Sequence, residues 1–194
     1  MSWTETAYAD PHAYLAHRAE LILALGPALE PGDAVLDLAC GDGGLADHLA
    51  GLRYRGVDSS PDMVESARQR GRDVVLGDLN DYEPSEPVAA TTCFRAIYYT
   101  RDRGRFFRTV AGYTQKKLVF DLNPRQYRVD EVRADLRGAG FDRLALRPFF
   151  APQRFSLPRA AASVLYAFER TPVAGALLRF RFSYLCAAFR GRNA

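Results

Sequence analysis

Asp37, Gly41, Gly43 and, after a gap, Asp58 are of types and at spacings that suit the binding of a small polar ligand. Gly41, Gly43 and Gly44 break an apolar run, Val35-Leu36 and Leu38, and let backbone approach a ligand where a Cβ would clash. The pattern Gly41-x-Gly43-x-x-Ala46 with the later Asp58 fits a dinucleotide fingerprint, in which the turn meets a pyrophosphate and the acid a ribose. Asp37 argues against that ligand. It lies four residues before Gly41, at or near the end of the apolar run, where its carboxylate faces the same crevice. Two negative charges there repel. A ligand with an ammonium group and no phosphate would be attracted instead.

These residues need a frame to hold them. Val35–Leu38 suits a buried parallel strand, and Leu45, Leu49 and Leu52 fall on one face of a helix after the glycine turn. Strand, glycine turn and helix open a nucleotide-binding βαβ unit, with the helix N-terminus supplying unpaired N–H groups. Further strands are expected at Tyr54–Asp58, Asp73–Leu76, Val88–Cys93, Lys116–Asp121 and Leu144–Pro148. Between them come a helix opened by Ser59-Ser60-Pro61, a stripe of Arg105, Phe106, Phe107, Val110 and Ala111, and a helix through Asp130, Val132 and Leu136 that stops at Gly138–Gly140. Residues 1–30 precede the first strand. There Tyr14, Leu15, Ala19, Ile22, Leu23 and Leu25 repeat at helical spacing until Gly26-Pro27. Strands alternating with helices imply an α/β fold with a parallel sheet.

The length of 194 residues allows one domain with a real core, and 48% hydrophobic with 25% charged residues is ordinary globular composition. A net charge of +3 is too small to imply nucleic acid. Lys116 and Lys117 are the only lysines, so the basic charge is nearly all arginine. Cys40, Cys93 and Cys186 are far apart, without disulfide-framework or zinc spacing, which suits a reducing cytoplasm and no metal. No apolar signal segment opens the chain and no run is long enough to span a bilayer.

The stretch Asp37-Leu-Ala39-Cys-Gly41-Asp-Gly43 resembles motif I of the class I S-adenosylmethionine-dependent methyltransferases, with Ala39 in place of the usual first glycine. The resemblance covers residues 30 to 148 well and both ends by position. It implies a Rossmann-like three-layer sandwich around a seven-stranded, mostly parallel sheet with an antiparallel last strand, an N-terminal helix, and S-adenosylmethionine as cofactor. It implies that Asp58 accepts hydrogen bonds from the ribose hydroxyls, with Ser59 beside it. Met63 then lies against adenine or in the core, and Asp78 and Leu79, in the loop after the third strand, read the adenine edge. Ala39, Gly41 and Cys93 complete the cofactor set. In related proteins an arginine on the N-terminal helix holds the cofactor carboxylate. Arg18 is the candidate, since a guanidinium fork suits that group; otherwise it is a solvated surface arginine. Arg95, Tyr98 and Tyr99, past the fourth strand, are candidates for the acceptor side, and Asn123 and Arg125 for the pocket lining. Catalytic residues stay unassigned, with His12, His17 and Tyr98 as bases to test. Asn123-Pro124 follows the fifth strand and precedes Arg125, unlike the Asn-Pro-Pro-aromatic motif of nucleic-acid amino-methyltransferases, so the expected acceptor is a small molecule. The alternatives are a cofactor-binding module without turnover and a nicotinamide oxidoreductase.

A minimal domain of this family closes its last two strands as a hairpin, whereas here residues 149–177 intervene before a last strand within 178–190. Pro152, Pro158 and Pro172 punctuate the insertion, and Ala161, Val164, Leu165 and Phe168 predict a helix, with a second from Val173 towards Leu178. Two readings are open. The helices form an apolar wall over a hydrophobic or amphiphilic acceptor, or they thicken the core or join two subunits. Arg154, Arg159 and Arg170 leave room for an acidic substrate group or peripheral contact with a membrane surface. In the last strand Phe180, Phe182 and Tyr184 alternate with Arg179, Arg181 and Ser183.

Overall fold

The structure is a computed structural model that describes residues 8–149, 156–178 and 183–191. Seven strands form one sheet in the order β3-β2-β1-β4-β5-β7-β6. They are β1 (Ala34–Leu38), β2 (Arg53–Asp58), β3 (Val74–Leu76), β4 (Val88–Cys93), β5 (Thr114–Leu122), β6 (Arg143–Phe149) and β7 (Ser183–Phe189). The pairs among β1 to β5 are parallel, and β7 runs antiparallel between β5 and β6. The helices are α1 (Pro11–Ala24), α2 (Pro61–Gln69), α3 (Arg103–Tyr113), α4 (Val129–Gly138), α5 (Arg159–Glu169) and α6 (Pro172–Leu178). The chain leaves β1 on one side to make β2 and β3, then returns to place β4 on the other. β1 and β4 therefore mark the point where an open α/β sheet binds ligands.

Strand alternation sorts the side chains into two cores. Leu36 and Leu38 of β1, and Leu118, Phe120 and Leu122 of β5, pack with Phe106, Phe107, Val110, Val132 and Leu136 of α3 and α4. Val35 and Val119 face the opposite way, against Ala19, Leu21 and Ile22 of α1 and Leu25 just past its end. Asp37 and Asp121 follow Val35 and Val119 by two residues, so both carboxylates point to the α1 layer. Lys117, fully buried, also reaches that layer. Its Nζ donates to the carbonyls of Ile22 (2.6 Å) and Leu25 (2.7 Å), satisfying the end of α1 and pinning it to β5. Burial pushes its ammonium down to about 8.

The expected helix after the glycine turn is a single 3-10 turn, Gly44–His48. Leu45 and Leu49 are buried as its apolar spacing requires, but the chain turns back to β2 within four residues of the turn's end, which leaves no length for an α-helix. Ser60 caps α2, accepting from the Met63 N–H, with Pro61 in the first turn. α5 and α6 fall where the prolines and the helical spacing place them. Pro152, Arg154, Arg179, Phe180, Arg181 and Phe182 lie outside the described residues, and the described last strand begins at Ser183.

Candidate active site

The carboxyl ends of β1, β2 and β4, the loop after β3 and the helix α1 enclose a cleft of about 740 Å³. Arg18, Asp37, Ala39, Gly41, Asp58, Ser59, Met63, Asp78 and Leu79 line it, together with Tyr14, Phe94, Arg95, Tyr98 and Tyr99. Nine of the ten residues expected around the cofactor thus share one wall. Cys93 is the exception. It is fully buried in the α3–α4 core, facing away from the cleft, and burial holds its thiol far above the ordinary range.

Asp37 is set by its neighbours in the sheet. Its register partner on β4 is Thr92, whose hydroxyl donates to Oδ1 (2.7 Å). The Tyr54 hydroxyl on β2 donates to Oδ2 (2.9 Å). Tyr54 can reach because its strand carries Gly56 opposite Asp37. A Cβ at Gly56 would stand 2.5 Å from Cys40 Sγ and 3.1 Å from the Tyr54 hydroxyl. Burial pushes the Asp37 carboxyl up to about 6, against the downward pull of the two hydroxyls and of Arg18. At neutral pH it is mostly ionised, in a site that would stabilise it further if a cation arrived.

Asp58 ends β2 beside the glycine loop. Gly41 N–H donates to its Oδ2 (2.7 Å) and Ser60 N–H to its Oδ1 (2.9 Å). Each oxygen therefore has one lone pair fixed by backbone and another for a ligand hydroxyl. Gly41 and Gly43 take positive φ, 62° and 69°, as their residue type allows. Ala39 does so too, at 56°, where a Cβ is strained. The position of the family's first glycine asks for a left-handed backbone, so the replacement by alanine is more than a change of size. Asp42, buried, accepts from Arg70 (2.6 Å) and Arg72 (3.1 Å), which staples the loop to the turn before β3.

Arg18 comes from α1 over the mouth and is 7% exposed rather than solvated. Its guanidinium lies over the rings of Phe94 (4.1 Å) and Tyr14 (4.4 Å) and donates to the Tyr14 hydroxyl. Among the described residues its Nε has no hydrogen-bond partner. Burial lowers its pKa, opposed by Asp121 and Asp37. A buried cation with an unmet N–H is costly unless an anion completes it.

Asp78 sits in the loop after β3, its Oδ1 held by the backbone and side-chain N–H groups of Asn80 (both 2.8 Å) and its Oδ2 near Arg101 (3.2 Å). The Asn80 bonds hold its carboxyl below the usual range. Just past β4, Arg95 has a φ of 51°, fixed by the Asp121 carboxylate accepting from its N–H at 2.6 Å. Its guanidinium donates to the Tyr8 hydroxyl (2.9 Å). Tyr98 and Tyr99 are exposed at the mouth. Burial, then its hydrogen bond with Tyr99, pushes the Tyr98 phenol up, so it is protonated at neutral pH.

His12, His17, Asn123 and Arg125 are not on the cleft wall. His12 packs near His48, and His17 is bound to Glu169. No residue of α5 or α6 lines the cleft either, so the expected apolar lid over the acceptor is not formed by the described residues. α5 instead clamps α1, and α6 packs against β6. His17 is stacked between Tyr166 and Phe149, its Nε2 lies 2.8 Å from Glu169 Oε2, and Arg170 pairs with Glu20. Thr92, Tyr54 and Gly56 were missed in the sequence. The one legible signal was Gly56, a glycine inside a strand, which marks a close approach.

The family description "Methyltransferase domain" matches residues 35–117, the stretch from β1 into β5 that builds most of this cleft. Trans-aconitate 2-methyltransferase of Mycobacterium tuberculosis is 38% identical over 101 residues, 46% of this chain and 38% of that protein. The chain thus spans about two fifths of the length of the curated relatives it matches. A chain from the complex of the Haloferax volcanii Trm112 methyltransferase activator with its methyltransferase has the same fold, with a TM-score of 0.64 and 23% identity over 91% of this chain and 90% of that one. Magnesium protoporphyrin IX methyltransferase from Synechocystis PCC 6803 shares it at 0.60 and 19%, over 92% and 76%. Residues 35–117 thus match a methyltransferase domain, and the chain shares its fold with these solved methyltransferase structures.

Proposed function

We propose that the chain binds S-adenosylmethionine in the cleft and transfers its methyl group to a small-molecule acceptor. The observation that carries this is the pairing of Asp37 with Arg18 across one cleft: a buried carboxylate of raised pKa and a buried guanidinium with an unmet Nε. An amino-acid end answers both, its ammonium to Asp37 and its carboxylate to Arg18. Asp58 would take the ribose hydroxyls, Ser59 and Met63 the flank of the nucleoside, and Asp78 and Leu79 the adenine edge. Gly41 and the strained Ala39 keep backbone close to the ligand.

When bound, S-adenosylmethionine supplies a methyl group already activated by its sulfonium. What remains for the protein is to hold the acceptor in line and keep water out. Arg95, Tyr98 and Tyr99 stand where the acceptor would enter. Arg95 offers a cation to an acidic acceptor, in keeping with relatives named for trans-aconitate. Tyr98, protonated, would donate a hydrogen bond to the acceptor rather than remove its proton. The reading places the activity in the cytoplasm.

Calorimetric titration with S-adenosylmethionine, S-adenosylhomocysteine and NAD⁺ tests the ligand. Binding of the first two and not the third is the expected result, and tighter binding of NAD⁺ would overturn it. Incubation of cell extract with labelled donor, followed by mass identification of the labelled product, tests turnover. Donor binding with no transfer to any acceptor pool would leave the cofactor-binding module as the correct reading.

A further inference from the structure

Among the described residues, Ala39 and Arg95 take a left-handed backbone despite carrying a Cβ, and both line the cleft. Such a backbone is costly in these residue types and persists only where neighbours hold it. Ala39 belongs to the glycine loop. Arg95 stands two residues past the end of β4, in a different part of the wall. Its φ of 51° turns the chain from the strand towards the 3-10 turn Ile97–Tyr99, which carries Tyr98 and Tyr99 to the mouth.

What holds that backbone is Asp121. β4 ends at Cys93, whose register partner on β5 is Phe120, and Asp121 is the next residue along β5. Its carboxylate accepts from the Arg95 N–H at 2.6 Å. The Arg95 guanidinium donates to the Tyr8 hydroxyl at 2.9 Å, and the far end of the segment is tied by the Arg101 N–H donating to the Asn80 side chain at 2.9 Å. Asp121 itself does not line the cleft. Burial pushes its carboxyl up, opposed by Arg18, by the Arg95 N–H and by the Arg95 guanidinium.

We propose that Asp121 is a positioning residue for the acceptor: by accepting from the Arg95 N–H it fixes the turn that sets Arg95 and Tyr98 on the cleft wall. This rests on the reading that the cleft takes S-adenosylmethionine and an acceptor. The rival role for Asp121 is to offset the charge of Arg18, on the cofactor side. The two roles make different demands. The turn needs an acceptor oxygen at one place, whereas charge compensation needs a negative charge in the neighbourhood.

The test is transfer of tritium from methyl-labelled S-adenosylmethionine to the small molecules of a cell extract, by the full chain, at rising extract concentration. Asp121→Ala should raise the half-saturating extract concentration about tenfold, with S-adenosylmethionine affinity by calorimetry close to that of the unmodified chain. Asp121→Asn keeps an oxygen in place without the charge and should recover most of that loss. Asp121→Glu keeps the charge but displaces the oxygen, and should behave like Asp121→Ala. Should Asp121→Ala not fold, the Asn and Glu variants decide by the same readout. Unchanged half-saturation in the Ala and Glu variants would overturn the proposal. So would a normal Glu variant beside an impaired Asn variant, or a loss of cofactor affinity as large as the loss at the acceptor, since Asp121 would then act through Arg18. An unmodified chain that binds no S-adenosylmethionine, or transfers no label, is a separate failure of the reading of the cleft. It shows before any variant is made, and it takes this proposal with it.

Discussion

Asp37 is where one residue's environment has the largest chemical consequence. Its carboxyl, raised to about 6 by burial, binds a proton more readily in the folded, ligand-free protein than in the unfolded chain. Its contribution to stability is therefore present below the ordinary carboxylate range and is lost as pH rises through 6. Cofactor binding works in the opposite direction, because an ammonium beside Asp37 favours the ionised form. We expect S-adenosylmethionine affinity to be flat above about pH 6.5 and to fall roughly tenfold per unit below about 6, measured by calorimetry. Asp37→Asn should remove that slope and weaken binding, without loss of thermal stability. Ala39 is strained in the other sense. Its φ of 56° costs about 1–2 kcal/mol in a residue with a Cβ, part of which glycine would return through a freer unfolded chain. Ala39→Gly should stabilise the protein by about 0.5–1 kcal/mol in urea unfolding. A loss of stability there would mean that the Cβ makes a packing contact worth more than the strain.

Single contacts between elements hold the site together. Gly56 lets Cys40 and Tyr54 converge behind Asp37. Gly56→Ala places a Cβ against both and should cost about 1–3 kcal/mol as an overpacked core, with weakened cofactor binding. Cys40→Ala should restore part of the loss in the double variant, because the shortest clash is with its sulfur. Independent, additive effects in a mutant cycle would show that the contact with Cys40 is not the cause. In the same layer, α5 grips α1 through Glu169 and His17, both side chains almost wholly buried. Removing one partner of a buried pair leaves the other unmet, so Glu169→Ala should destabilise the fold by about 3 kcal/mol. Arg18 adjoins His17 on the same helix, and the variant should also lower cofactor affinity. Normal affinity with reduced stability would show that the clamp serves packing only.

At the scale of the whole molecule, α1, the glycine loop and the loop after β3 come from three distant parts of the chain and meet only when folded. A ligand that touches all three binds the native state and not the unfolded one. At a hundred times its dissociation constant it adds about 2.7 kcal/mol, and for a chain of this size each kcal/mol raises Tm by about 2–4 °C. We expect S-adenosylmethionine and S-adenosylhomocysteine to raise Tm by about 5–10 °C in differential scanning fluorimetry at that concentration. NAD⁺ should leave it unchanged, and an equal shift with NAD⁺ would count against the amino-acid end as the recognised group.

The alternation of strands and helices, the glycine turn, the serine cap at Ser60, the proline-bounded α5 and the acids at the ends of β1 and β2 were legible in the sequence. Each depends on residues close together along the chain, whose periodicity or backbone preference acts locally. Only the tertiary structure decided the rest. The family resemblance made Arg18 a candidate for the cofactor carboxylate, but its burial between Phe94 and Tyr14 depends on how α1 docks over β1 and β4. Cys93 stands at the right strand end yet faces the other core, because side chains alternate between faces and the register sets which one. The helix expected after the glycine turn shrank to a 3-10 turn because β2 had to begin at Arg53 to pair with β1. The insertion helices formed where their spacing placed them, but α5 docked on α1 and α6 against β6 rather than over the cleft. Helical periodicity identifies an apolar face and carries no information about which neighbour will cover it.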